Sequence, residues 1–439
     1  MTHRRWRLVL TALAVLALVA AACQPAEEEQ EAVPEGGLEG ETIEVAAVWT
    51  GEEQTKFEEV LNAFAEQTGA TVRFTSTGDD VAAVLQTRIE GGNPPDVALL
   101  PQPGLLRDLA GQDALQPIDE VAGDEVDANY APVWRELGSV DGTLYGVWFK
   151  AANKSTVWYN LNVFNSAGVE PPADWDTFKS TAETISEFGV DPIAVGGADG
   201  WTLTDWFENV YLRTAGPDMY DQLANHEIEW TDQSVKDALT TMGEILGEES
   251  LLSGGTQGAL QTSFPDSVSK VFADPQNPEA AIVYEADFVA TVIANETESQ
   301  LGTDADFFDF PTIDDSPPAV VGGGDVAVLL RDTEGGKALM EYLATPQAAE
   351  IRARTGGFTS ANTGVDLGVY PDEITRRSAE ALINAGDAFR FDLSDLQPSE
   401  FGGTVGQGLF KLFQDFLQNP GNVDQITQQL ERAASQAFG

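Results

Sequence analysis

From Thr42 onward the apolar positions alternate between two rhythms. Thr42 to Trp49 reads as a strand, and in Glu53 to Thr68 the residues Phe57, Val60, Leu61 and Phe64 recur at i, i+3, i+4 and i+7, one helix face closed by Gly69. A strand from Thr71 to Ser76 follows. Asp80 to Glu90 repeats the helical spacing with Val81, Val84, Leu85 and Ile89, the pair Gly91 and Gly92 ends it, and Asp96 to Leu100 makes a third strand. Strand, helix, strand, helix, strand predicts a parallel sheet. Ligands of such sheets sit outside the carboxyl ends of the strands, which nominates three loops. They are Trp49-Thr50-Gly51-Glu52, Thr77-Gly78-Asp79 and Pro101-Gln102-Pro103-Gly104.

A second unit begins after the strand-like Leu144 to Phe149 and Thr156 to Tyr159, with turn signals at Pro171-Pro172 and a helix from Trp175 to Phe188. Pro192 to Val195 reads as its buried strand. It empties into the Gly-rich loop Gly196 to Trp201 before a helix near Thr204 or Asp205, on which Trp206, Val210 and Arg213 share a side. Ala280 to Tyr284 is a short apolar strand leading into Glu285-Ala286-Asp287-Phe288, and Val326 to Leu330 follows Gly322-Gly323-Gly324. The triple glycine marks a crossing between lobes. Helices at Gly335 to Leu343 and Pro346 to Arg354, the loop Thr355 to Phe358 and a largely helical tail complete the chain.

The N-terminus predicts export. His3, Arg4, Arg5 and Arg7 precede an uncharged run from Leu8 to Ala22 that stops at Cys23, the single cysteine. That run is shorter than the roughly 18 apolar residues a membrane-spanning helix wants, and it ends in small residues as a secretory signal does. Ala20-Ala21-Ala22-Cys23 resembles the bacterial lipobox, which implies a lipid-bearing Cys23 at the mature N-terminus. Residues 24 to 40 are acidic and glycine-rich with little to bury, a flexible tether.

Composition narrows the partners. The formal charge of −49 excludes nucleic acid and anionic lipid surfaces. Only two histidines occur, and His3 lies in the signal, so neither a histidine metal site nor a Ser-His or Cys-His pair can be built. The spacing of Asp304, Asp306 and Asp309 lacks the glycine and terminal glutamate of a calcium loop. No cofactor and no metal are expected. Paired-carboxylate catalysis stays open, because 72 acidic residues bring some pair into glycosidase range by chance.

The positive signal is aromatic rings beside carboxylates and amides at the predicted strand ends: Trp49 with Glu52, Gln102, Trp201 with Asp205 and Trp206, and Phe288 with Asp287. A pyranose needs both, an aromatic face for its C–H surface and hydrogen-bonding partners for its hydroxyls once water leaves. Trp148, Trp158 and Trp230 lie in apolar surroundings and read as core. Trp175 reads as packing at a helix start.

Several segments together resemble the extracellular solute-binding proteins of carbohydrate ABC importers, and within them the α-glucoside-binding branch. They are Glu90 to Asp96 running into Pro101 to Gly104, Gly142 to Lys150, Val157 to Asn160, Trp201 to Gly216, and Gly356 to Phe358. The resemblance implies an α/β, periplasmic-binding-protein-like fold of two lobes, each a mostly parallel sheet flanked by helices, with a hinge between. The expected division is 1–22 signal, 23–40 tether, 41–149 with about 322–360 as the N-lobe, and 150–321 with about 361–439 as the C-lobe. Carried onto this chain, the cleft walls would be Trp49, Glu52, Asp79, Gln102, Trp201, Asp205, Trp206, Glu285, Asp287 and Phe288, with Phe358 closing one side. Lys150 would donate to a sugar hydroxyl or pair with a neighbouring acid. The implied protein is a monomeric receptor, lipid-anchored outside the cytoplasmic membrane, that delivers an oligosaccharide to membrane permease subunits. A secreted glycoside hydrolase and a sugar sensor acting on a membrane receptor remain as alternatives.

Overall fold

Helix Gly51–Thr68 forms on the expected face, burying Phe57, Val60, Leu61 and Phe64, and Gly69 ends it at φ 80 with its N–H donating to the Ala65 carbonyl. Only glycine takes that left-handed turn without cost. The computed structural model describes residues 36–439. Cys23, the signal and most of the tether lie outside the described residues. Among the described residues, no helix is long and apolar enough to cross a membrane.

In chain order the strands are β1 (Thr42–Ala47), β2 (Thr71–Ser76), β3 (Val97–Leu100), β4 (Ser139–Val140), β5 (Thr143–Leu144), β6 (Gly146–Asn153), β7 (Thr156–Asn160), β8 (Asp191–Ala194), β9 (Ala280–Tyr284), β10 (Ala305–Asp309), β11 (Val320–Leu329) and β12 (Phe389–Phe391). The first sheet has the order β12-β11-β3-β1-β2, with β6 also paired to β11, and the second runs β10-β7-β9-β8. The short β4 and β5 form their own hairpin. Two α/β lobes result, as expected.

Both sheets are mixed, with parallel pairs the more numerous in the first and antiparallel pairs in the second. β1 pairs in parallel with β2 and β3, and β11 with β12, but β11 runs antiparallel to β3 and β6. In the second sheet only β8 and β9 are parallel. Within these two sheets the antiparallel pairs all involve β6, β7 or β11, the strands next to a passage from one sheet to the other, and apolar spacing carries no strand direction.

The chain passes between the lobes three times: from sheet to sheet at Asn153 to Ser155 and just before β11, and from the first sheet to the tail helices after β12. The tail helices Gly408–Gln418 and Val423–Phe438 then pack on the second lobe, where Leu409, Phe413 and Leu430 share a core with Trp206, Phe207 and Trp230. The glycines let the crossings touch. At Gly324 a Cβ would lie 2.3 Å from the Lys150 carbonyl oxygen, and at Gly322 it would lie 2.3 Å from the Phe389 ring. Trp148, Trp158 and Trp230 are buried as expected, and Trp175 opens helix Trp175–Phe188 with its indole N–H donating to Glu244.

Candidate functional site

The loop after β1 brings Trp49 to the start of helix Gly51–Thr68, edge-on to Phe57 with centroids 4.7 Å apart. Lys150, from β6, holds its Nζ 5.6 Å from the Trp49 ring and 5.6 Å from the ring of Phe288, which belongs to the other lobe. Lys150 pairs with Glu53 and, at 3.6 Å, with Asp325. Burial pushes the Asp325 carboxyl up to about 6, while Lys150 pulls the other way. Glu52 is exposed. Its neighbour Glu53 is the acid that reaches the site, because one residue on a helix turns the side chain by about 100°.

In the second lobe, Gly200 takes φ 84 and helix Trp201–Ala215 begins at Trp201, a few residues before the expected start. Trp201 is partly buried, with ring centroids 5.3 Å from Phe264 and 6.1 Å from Phe288. Phe288 therefore links the two expected walls: one face of its surroundings is Trp201, the other is Lys150 above Trp49. Trp206 is not with them. It is 1% exposed in the second lobe's core, 4.8 Å from Tyr284, 5.8 Å from Phe310 and 6.4 Å from Phe178, on the face it shares with Val210. Protein occupies its surroundings, so the expected ligand contact at Trp206 is replaced by a packing one.

Beneath Trp201 lies a buried ionic cluster that the strand-end rule misses. Lys154, in the first crossing, pairs with Asp392 and at 3.3 Å with Asp205, and Asp395 lies 3.8 Å away. Asp392 also accepts from the Ser394 hydroxyl at 2.7 Å and the Asp395 N–H at 2.9 Å. Burial opposes its charge, yet Lys154 and these donors hold its carboxyl down to about 2. Glu208 accepts the Leu393 and Ser394 N–H groups at 2.8 and 2.9 Å. One ammonium cannot neutralise every neighbour. Burial and the Asp392 charge push Asp205 up to about 8 against the pull of Lys154, and burial with the Asp205 charge drives Glu285 well above the usual carboxylate range. The two carboxyls lie within hydrogen-bonding reach of each other, a contact that favours the charge on Asp205 and opposes it on Glu285, and the Ala286 N–H pulls Glu285 the other way. Asp205, Glu208 and Asp392 bring oxygens within 4.8 Å of one another, as cation ligands do, but the Lys154 ammonium already supplies the positive charge there.

The other expected residues hold the walls in place. Gln102 precedes helix Pro103–Gly111 and lies against Gly403 of the tail, where a Cβ would come 1.9 Å from its Nε2. Asp287 accepts from Thr359 Oγ1 at 2.6 Å and Ser378 Oγ at 3.1 Å, so protein hydroxyls occupy the carboxylate expected for a ligand. Phe358 is buried between Phe149 at 5.4 Å and the Arg352 guanidinium at 5.0 Å. Arg352 donates to Thr355 and Gly356, and burial lowers it to about 10. Asp79 lies on the single turn Gly78–Asp80 after β2. Asp304, Asp306 and Asp309 lie along β10 and just before it, with Asp306 paired to Arg377.

Two lobes, a chain that crosses between them three times, and aromatic rings of both lobes meeting at Lys150 are the architecture of a two-domain solute-binding protein. The chain belongs to the family described as bacterial extracellular solute-binding protein, whose pattern it matches over residues 49–350. It is similar to the osmoprotective compounds-binding protein GgtB of Synechocystis sp., 36% identical over 382 residues that cover 85% of this chain and 88% of that protein. It is also similar to the alpha-glucosides-binding periplasmic protein AglE of Rhizobium meliloti, 34% identical over 388 residues, 85% of this chain and 82% of the relative. Among solved structures, the bacterial solute receptor AcbH superposes with a TM-score of 0.78 at 21% identity, over 92% of this chain and 100% of that one.

Proposed function

We propose that this protein is the lipid-anchored substrate-binding component of an ABC importer, capturing an oligosaccharide of α-glucoside type by hinge closure. The carrying observation is the Lys150 ammonium, equidistant from Trp49 of one lobe and Phe288 of the other, with Trp201 beside Phe288. A sugar seated there touches both lobes at once. Only contacts of that kind favour the closed form over the open one. Trp49, Trp201 and Phe288 supply the apolar faces, while Lys150, Glu53 and Asp325 supply donors and acceptors for hydroxyls. The lobes divide near residue 150, near 322 and after β12, the tether ends at residue 40, and Cys23 carries the anchor.

AglE supports the α-glucoside reading by its name and by its similarity across most of this chain. GgtB, at slightly higher identity, supports a second reading, a small osmoprotective compound in the same place. Thermal-shift and calorimetric titration of the mature protein against maltose, trehalose, sucrose, a malto-trisaccharide and a panel of small non-sugar osmoprotective solutes decides between them. Saturating ligand at about 100 Kd should stabilise the fold by about 2.7 kcal/mol. No shift with any of these compounds, or release of glucose from maltose or trehalose at catalytic rates, rejects the receptor reading.

A further inference from the structure

We propose that Lys154 is a positioning residue for ligand capture, tying the Trp201 wall to all three chain crossings. The proposal rests on the reading of the walls at Trp49, Trp201 and Phe288 as the ligand site.

Lys154 belongs to the first crossing, between β6 and β7. Its N–H donates to the Val321 carbonyl of the second crossing at 2.8 Å. Its own carbonyl accepts from Asn209 Nδ2 and from the Tyr284 hydroxyl, both at 2.8 Å and both in the second lobe. The ammonium reaches Asp392 and Asp395 of the third crossing, and Asp205 on the helix that Trp201 begins. One residue thus touches every segment whose relative placement sets the angle between the lobes: its backbone holds the second crossing and the second lobe, and its ammonium holds the third crossing and the helix that Trp201 begins.

Two further observations show that the ammonium is seated for a purpose beyond neutralising acid. The Nζ lies 5.8 Å from the Trp201 ring, within cation–π distance of the ligand wall. The second crossing leaves a lane for its stem: at Gly323 a Cβ would lie 2.8 Å from Lys154 Cε. Any side chain there displaces the lysine. Five carboxyls face the group, from Asp205, Glu208, Glu285, Asp392 and Asp395, and among the described residues Lys154 is the cation that acts most strongly on them. Without the ammonium these buried charges would repel until protons replaced it.

That consequence gives the proposal a signature that simple loss of packing lacks. Lys154→Met should weaken binding of the saccharide that wild type prefers among maltose, trehalose and sucrose by about tenfold or more at pH 8, and by far less at pH 5, where protons stand in for the ammonium. Lys154→Arg should recover most of the loss. Gly323→Ala keeps the charge but pushes the stem aside, so it should weaken binding several-fold while the melting temperature stays close to wild type. It also serves should the methionine variant fail to fold. Small-angle scattering of the ligand-free proteins gives an arm that needs no sugar: Lys154→Met should be more open at pH 8 than at pH 5, with wild type unchanged. A wild type that binds none of the sugars rejects the ligand reading, and the scattering then decides the role of Lys154. Wild-type affinity in both variants, or a loss equal at the two pH values with unchanged scattering, overturns the proposal.

Discussion

Trp201 and Trp206 sit on the first two turns of one helix and face different media. Trp201 is partly exposed between Phe264 and Phe288, so Trp201→Ala should cost about 1–2 kcal/mol of saccharide affinity and leave the melting temperature of the ligand-free protein nearly unchanged. Trp206→Ala should do the reverse, losing about 3–5 kcal/mol of stability by opening a cavity among Tyr284, Phe310 and Phe178. Urea unfolding and titration calorimetry on both variants check the contrast. Asp205 gives the pH dependence at this scale. Its native carboxyl, pushed up to about 8 mainly by burial, keeps a proton that the unfolded chain releases near about 3.9. The native state binds more protons between those values, so this contribution is complete at the acid end and is lost as pH rises through the window. Asp392, held down to about 2, acts oppositely, contributing above the ordinary aspartate value and losing that contribution as pH falls. The ligand-free protein should therefore melt highest at about pH 4–5 and progressively lower toward pH 8. Asp205→Asn should flatten that slope, and an unchanged slope would refute the assignment of the proton.

At the scale of elements, the crossing strands depend on backbones approaching where a side chain would not fit. Gly324 has ordinary strand geometry, so its requirement is space: the Lys150 carbonyl oxygen stands 2.3 Å from where a Cβ would be. Gly324→Ala should destabilise the fold by about 1–3 kcal/mol in urea unfolding, with the slope of the transition unchanged. A stability equal to wild type would mean that β6 and β11 can separate freely. The same strands show what the sequence makes legible. Helix Trp175–Phe188 and strands β2 and β9 fall on their expected limits, since the helix and β2 each carry an apolar face and β9 is a short apolar run buried throughout. β11 begins several residues before the expected Val326, because glycines carry no apolar signal although their backbone still pairs with β6. The walls at Trp49, Trp201 and Phe288 are legible from strand ends, being local. Lys154, Asp325, Asp392 and Asp395 are not, since they lie on crossings whose partners come from distant parts of the chain. Asp205 and Glu285 are found by position, but their shared burial depends on that long-range meeting.

For the molecule as a whole, the acidic excess sets the response to salt. With 72 acidic against 23 basic residues, the net charge of −49 cannot be cancelled by local ion pairs, and many of the pairs that form are surface ones such as Lys236 with Asp424 and Lys270 with Glu279. Exposed pairs contribute at most about 1 kcal/mol each and weaken as salt is added. The mutual repulsion of the unpaired acids works against the compact state and weakens too. Because unpaired acids far outnumber exposed pairs, the repulsive loss is the larger effect, and sodium chloride should raise the melting temperature. Screening has a particular shape: the Debye length falls to about 10 Å by 0.1 M and to about 3 Å by 1 M, so most of the gain should arrive at low concentration and then level off. A gain that instead grows in proportion to concentration, and is larger for sulfate at equal ionic strength, would assign the stabilisation to exclusion of salt from apolar surface. A fall in melting temperature between low salt and 0.2 M would mean that the surface ion pairs outweigh the repulsion.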